Sequence, residues 1–384
     1  MSAAIDDVTY SPWPEVEPAG LVPGPEQTDL RSAVRAVLAR HGGLDEGTPW
    51  ALWRTLVGDM AVTMLSVPED RGGLGYGMTD MAVVLEECGR GLVSEPVLFA
   101  AGVGVHALLR APAGTVDALV SGALAGELRV AVHLPVSQTR RTAARMITAD
   151  HTADGWRLSG VATDIVHAAS AEVVVVEAHT AEGSRLFAVP LSDAVRAVPR
   201  TVVDPTRPRA DVHLDAAAAH ALTEVADTAS VLDDLTARAT IGLASEHTGI
   251  ADRMLEMTVE YVTTRQQFGR PVGSFQAVKH RLADLMVSLE RARSASRFAA
   301  AVYDSTPDRA ALAVAIAGAV CTEVASESVA EAVQLHGGVG FTWEHQAHRY
   351  FRRATGDEAL LGDAVFHRRR VAELVGLNSV RQEG

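Results

Sequence analysis

Residues Ala310 to Val333, AALAVAIAGAVCTEVASESVAEAV, are Ala-rich and apolar nearly all round. A helix without a broad polar face cannot lie on a protein surface, so other helices must enclose it. Thr306-Pro307 supplies an N-cap and a proline at the first helical position, where the missing N–H costs nothing. Long helical patterns near 229 to 265, 274 to 303 and 345 to 375 surround this segment, which itself spans about 307 to 336. The C-terminal part therefore reads as a four-helix bundle with 307 to 336 as its buried member.

Between two of these helices lies YVTTRQQFGRPVGSFQAVKHRLADL, Tyr261 to Leu285. The first helix breaks at Phe268-Gly269-Arg270-Pro271, where glycine frees the backbone and proline removes a donor. The next starts near Ser274, and its Val278, Leu282, Leu285, Leu289 and Ala292 form a stripe that calls for burial. The connection offers Arg265 as a held cation, Phe268 as a stacking ring, and Gln276 with the first helical amides as donors to an anion. A dinucleotide pyrophosphate and adenine need that chemistry, and surface caps at a helix corner look the same. With a net charge of −14, nucleic acid and anionic membranes are excluded as partners, and a phosphate-bearing ligand must be met by local arginines.

Ahead of the bundle the chain changes character twice. Residues 1 to 26 are Pro-rich with little periodicity and read as an arm. Residues 27 to 125 are helical: Leu30, Val34, Val37 and Leu38 share a face before Gly42-Gly43, a second helix runs from about Pro49 to Met64, and Glu95 to Leu109 is another. Between them Ser66 to Gly77 is a Gly-rich turn region, and Thr79 is placed to cap a helix carrying Met81, Val84, Leu85 and Cys88. From 126 to 222 the pattern becomes short β-rich runs, with Asp154-Gly155 as a hairpin signal. Residues 223 to 384 are helical again. The expected fold class is α+β: an N-terminal helical domain, a middle β-barrel or sandwich, and a C-terminal four-helix bundle.

Cys88 and Cys321 sit in helical patterns without metal-ligand spacing, so both read as buried thiols and no metal is expected. No run of 18 apolar residues occurs, and the acidic, Pro-rich start is unlike a signal peptide. A cytoplasmic protein off the membrane is the expectation.

Arg265, Phe268, Gly269 and Gln276 spell R-x-x-F-G-x-x-x-x-x-x-Q, and Gln334-Leu335-His336-Gly337-Gly338-Val339-Gly340-Phe341 follows. Together they resemble the paired motifs of the acyl-CoA dehydrogenase family. The similarity extends from Val67-Pro68-Glu69-Asp70-Arg71-Gly72-Gly73-Leu74-Gly75 to Phe351-Arg352-Arg353-Ala354. It implies an α, β, α flavoprotein that desaturates acyl-CoA thioesters at the α and β carbons and passes electrons to an electron-transferring flavoprotein. It also implies that Arg265, Phe268, Gln276, Gln334, Gly337 and Gly338 contact FAD.

The same resemblance exposes departures. One family position for the catalytic carboxylate, seven residues past Ala354, is Leu361; the other, 26 residues before Arg265, is Ala239. Glu246, Asp357, Glu358 and Asp363 lie near these positions. Glu246 is the leading substitute because Leu243, Ala244 and Ile250 give it the apolar surroundings that make a carboxylate a base. Its other reading is a buried ion-pair partner. The stretch His133-Leu134-Pro135-Val136-Ser137-Gln138-Thr139-Arg140-Arg141-Thr142 lacks the glycines of the family's flavin loop, and Val166 stands where relatives carry a hydroxyl beside the flavin.

A chain that keeps the ADP half of the site and loses the flavin half resembles the base-lacking subunit of bacterial α2β2 enzymes acting on steroid-derived acyl-CoA. This favours a second, base-bearing subunit as partner. Two other readings stay open: a self-sufficient homo-oligomer using Glu246, and a flavin-free scaffold.

Overall fold

The computed structural model describes residue 14 and residues 21–41, 50–134 and 146–377. Helix α1 (Pro25–Arg40) buries Val34 and Val37. The expected helix over 49 to 64 is shorter, α2 (Ala51–Gly58), because Ala61 turns left-handed at φ 49° and ends the run. Helix α3 (Met78–Arg90) starts at Gly77, and Thr79 is not its cap. Asp304 supplies that role from far along the chain, accepting the Met78 and Thr79 amides at 2.7 and 2.8 Å. The apolar segment expected over 95 to 109 is a fully buried π-helical stretch, Val97–Gly104, continuing into α4 (Val105–Leu108); α5 is Asp117–Leu124. The stop at Gly42-Gly43 lies outside the described residues.

The middle of the chain forms strands β1 (Val130–Val132), β2 (Ile147–Thr152), β3 (Gly155–Val166), β4 (Val173–His179), β5 (Ser184–Pro190), β6 (Val195–Pro199) and β7 (Arg209–Ala221). Following the pairings β4, β2, β3, β7, β5 and back to β4 closes a ring, so the sheet is a barrel. Strand β1 adds to β4 and β6 to β7. Ile147, Leu158, Val174, Val176, Phe187, Val189 and Val212 cluster in one apolar core. The β2–β3 hairpin turns at Ala153-Asp154, one residue before the expected pair, with Gly155 taking φ 99°.

The remaining helices are α6 (Val225–Thr264), α7 (Gln276–Ser305), α8 (Ala310–His336), α9 (Ala347–Asp357) and α10 (Ala364–Leu374). Helix α8 packs against all four others, as its all-round apolarity requires. The segment Pro307–Gly340 is long and apolar enough to cross a membrane, but 67% of its most apolar window is buried inside this protein. Helices α3 and α6 cross backbone to backbone. A Cβ on Gly89 would fall 2.0 Å from the Glu246 carbonyl oxygen, and one on Gly249 would fall 1.9 Å from that of Glu86. This crossing fixes the depth of Glu246. Of the stripe on α7, Leu285, Leu289 and Ala292 are buried while Val278 and Leu282 are half-buried, and neighbouring Met286 and Val287 are exposed.

Candidate functional site

Helix α6 ends at Thr264, and Arg265 leaves it in extended backbone with its amide still bonded to Tyr261 O at 2.8 Å. The break is a miniature two-stranded ribbon, Gln266–Gln267 paired with Arg270–Pro271. Phe268 and Gly269 form its turn at φ 52° and 76°, the left-handed pair that a two-residue type I′ turn demands. Phe268 is thereby lifted off the surface, 90% exposed, with its ring edge-on to Phe275, over which the Arg270 guanidinium lies at 3.9 Å. Sequence reasoning placed the loop and missed the ribbon, although Phe-Gly between short polar runs is the signal.

Across from the ribbon, α8 ends at His336 and Gly337 takes φ 61°, ψ −144°, backbone essentially restricted to glycine. A side chain on Gly337 or Gly338 would meet nothing and project into open space. Arg265, Gly337 and Gly338 line one cleft of about 480 Å³ with Tyr261, Gln267 and His336, so the fold brings the two distant motifs together. Gln276, Gln334 and Phe268 are exposed and do not line it. Gln276 instead pairs with His280 at 2.8 Å.

The positions expected for a base lie where the barrel meets the bundle. Ala239 and Leu361 are buried apolar residues, 0% and 5% exposed. Glu246 is buried and receives Arg207 Nη2, while Arg207 Nη1 donates to Asp357 Oδ1 at 2.6 Å. Arg207 comes from the loop between β6 and β7, which Arg353 of α9 anchors by donating Nε to Asp204 Oδ2 at 2.6 Å and Nη2 to Thr206 Oγ1 at 2.7 Å. Burial alone would lower the Arg207 pKa, but Asp357 and Glu246 overcome it and hold the guanidinium charged, above its ordinary value. Burial likewise pushes the Asp357 carboxyl up, and Arg207 outweighs that and holds it below its ordinary value. His247 Nε2 stands 3.5 Å from Asp357 Oδ2, and neither atom has a hydrogen-bond partner among the described residues.

This geometry places Glu246 in a buried ion pair, with its carboxylate engaged by the Arg207 guanidinium. The other carboxylates are occupied as well. Asp363 caps α10 by accepting Phe366 N at 2.7 Å, and Glu358 accepts the Ser326 hydroxyl. No group of three or more His, Cys, Asp or Glu side chains suited to a metal occurs among the described residues.

The family model described as acyl-CoA dehydrogenase, C-terminal domain, matches residues 231–376, and the one for the N-terminal domain matches 24–115. Acyl-CoA dehydrogenase IpdE2 of Mycobacterium tuberculosis is 34% identical over 352 residues, which cover 89% of this chain and 94% of the relative. The chain belongs to the acyl-CoA dehydrogenase family. It is accordingly an oxidoreductase of acyl-CoA thioesters with FAD as cofactor. Among solved structures, the ChsE4–ChsE5 complex from Mycobacterium tuberculosis superposes with a TM-score of 0.82 at 27% identity, covering 95% of this chain and 100% of that one. A single-substitution variant of the steroid acyl-CoA dehydrogenase Tcur3481–Tcur3483 gives 0.79 at 28% identity, covering 92% and 99%.

For an acyl-CoA dehydrogenase the two halves of the FAD contact differ in this chain. The ADP half fits: a glycine-only turn leaves the space a Cβ would fill, and Arg265 offers a cation beside it. At the position where the resemblance implies the flavin, Val166 is buried and its side chain has no donor to offer. Asp164 beside it is left-handed at φ 64° and is bound to Arg209 at 3.0 Å. The altered stretch from Pro135 to Thr142 lies outside the described residues.

Proposed function

We propose that this chain is the base-lacking subunit of a heteromeric, flavin-dependent acyl-CoA dehydrogenase that desaturates an acyl-CoA thioester at the α and β carbons. One contrast carries the reading: the Arg265–Gly337–Gly338 cleft is open, while Glu246 is held by Arg207 in a sealed network. A base-bearing second subunit then contributes the carboxylate that takes the α-proton, and bound FAD would supply the hydride acceptor for the β-hydrogen. On this chain, Arg265 neutralises the pyrophosphate, Gly337 and Gly338 let it approach the backbone, and Gln276 and Gln334, exposed outside the cleft lining, are the further donors of the family motifs. Phe268, Met286 and Val287 are exposed apolar side chains of the kind a second chain covers.

The two-component names of the ChsE4–ChsE5 and Tcur3481–Tcur3483 structures support an assembly of the α2β2 kind, and the steroid named for the latter supports a steroid-derived acyl group. An electron-transferring flavoprotein is the proposed electron acceptor and the cytoplasm the proposed location. Arg265→Ala tests the assignment in the assembled complex. The visible flavin absorbance falls to a small fraction of the wild-type value at equal protein, whereas full occupancy in the variant would remove Arg265 from the site.

A further inference from the structure

The ring of His336 is held by two neighbouring rings. Tyr261 stacks on it at 4.5 Å between centroids and 27° between planes, and His345 packs against it at 4.4 Å and 50°. Its Nδ1 lies 2.7 Å from Ala332 O, one helical turn back. A carbonyl only accepts, so Nδ1 carries the hydrogen and neutral His336 has its lone pair on Nε2. With Nδ1 engaged within the helix, Nε2 is the ring nitrogen left to this 3%-exposed residue, which lines the cleft. His345 shows the opposite tautomer, since its Nδ1 accepts the Ala347 amide at 3.2 Å. The cleft therefore holds, beside its cation and its glycine turn, an acceptor fixed by neighbouring rings. A phosphate offers no hydrogen to such an atom.

We infer that His336 Nε2 accepts a hydrogen bond from the nucleoside end of the bound nucleotide, either a ribose hydroxyl or the adenine amino group, and so positions that end in the cleft. The inference rests on the reading of the cleft as the ADP half-site and adds a residue that discriminates between nucleotides.

The test is calorimetric titration of the flavin-depleted complex with ADP and with inosine diphosphate, which keeps the ribose and replaces the amino group. His336→Leu and His336→Asn should weaken ADP binding by about three- to tenfold, the size of one neutral hydrogen bond. Asparagine reproduces the Nδ1 contact within the helix but not the acceptor in the cleft. His336→Gln places an amide oxygen near the Nε2 position and should bind ADP as the wild type does, within about twofold. If the amino group is the donor, the wild type binds inosine diphosphate more weakly than ADP and His336→Leu abolishes the difference. If a ribose hydroxyl is the donor, both nucleotides weaken together in His336→Leu. Unchanged ADP affinity in His336→Leu, or equal losses in all three variants, would overturn the acceptor role. Arg265→Ala separates the two levels: its loss of ADP affinity with His336→Leu unaffected sinks only this inference, and wild-type protein that binds neither nucleotide sinks the cleft assignment itself.

Discussion

Arg207 and Asp357, 150 residues apart in sequence, meet in a hydrogen bond of 2.6 Å with side chains only 5% and 1% exposed. One comes from a barrel loop and the other from the bundle, and Glu246 shares the same guanidinium. The contact ties the middle of the chain to its end.

Removing the cation leaves two buried carboxylates facing each other. Arg207→Met should cost about 3–5 kcal/mol of stability. A triple variant, Arg207→Met, Glu246→Leu and Asp357→Leu, removes all three charges and should recover most of that loss. Urea denaturation of the three proteins side by side is the measurement; equal stability of wild type and Arg207→Met would show that the network is not held as described.

Glu246→Gln keeps one hydrogen-bond acceptor for Arg207 and removes the charge. Turnover of the assembled enzyme should stay within about threefold of wild type, since the α-proton goes elsewhere. Steady-state rates decide it. A loss of about a thousandfold, the scale expected when a general base is removed, would return Glu246 to the catalytic role and favour the self-sufficient reading.

Three buried histidines make the fold acid-sensitive. Burial lowers His133 and His367 to about 4 and His167 to about 3. The folded state keeps these rings neutral while the unfolded chain protonates them below its ordinary value of about 6.5, so the unfolded state binds more protons in that interval. Stability is therefore complete above about pH 6.5 and falls as pH drops toward 4, by up to about 1.4 kcal/mol per pH unit for each histidine. Denaturation midpoints between pH 7 and 4 test this, and His367→Leu should flatten the slope by about one histidine's share.

The α, β, α order and the enclosed helix were legible because apolarity around Ala310–Val333 admits one solution, burial among helices. That the two motifs carry Arg265 and a glycine turn was legible, because both are local features of the sequence, and the structure brings them to one cleft. The fate of Glu246 was not legible. Its apolar neighbours along α6 are the surroundings of a tuned base, and the residue that alters this, Arg207, arrives from a loop 39 positions earlier, across a domain junction. The cap of α3 was hidden for the same reason, since Asp304 is 226 positions from Met78. The ribbon at Phe268-Gly269 was missed because strands of two residues leave too short a pattern to read by period.

The central claim is that this chain supplies half of a flavin site and no base. Its most direct test is the visible absorption spectrum and native mass of the chain expressed alone, and again co-expressed with a base-bearing subunit of the family. The expected result is a colourless protein alone and a yellow hetero-oligomer with the partner. A yellow homo-oligomer carrying about one FAD per chain, with no partner present, would contradict it.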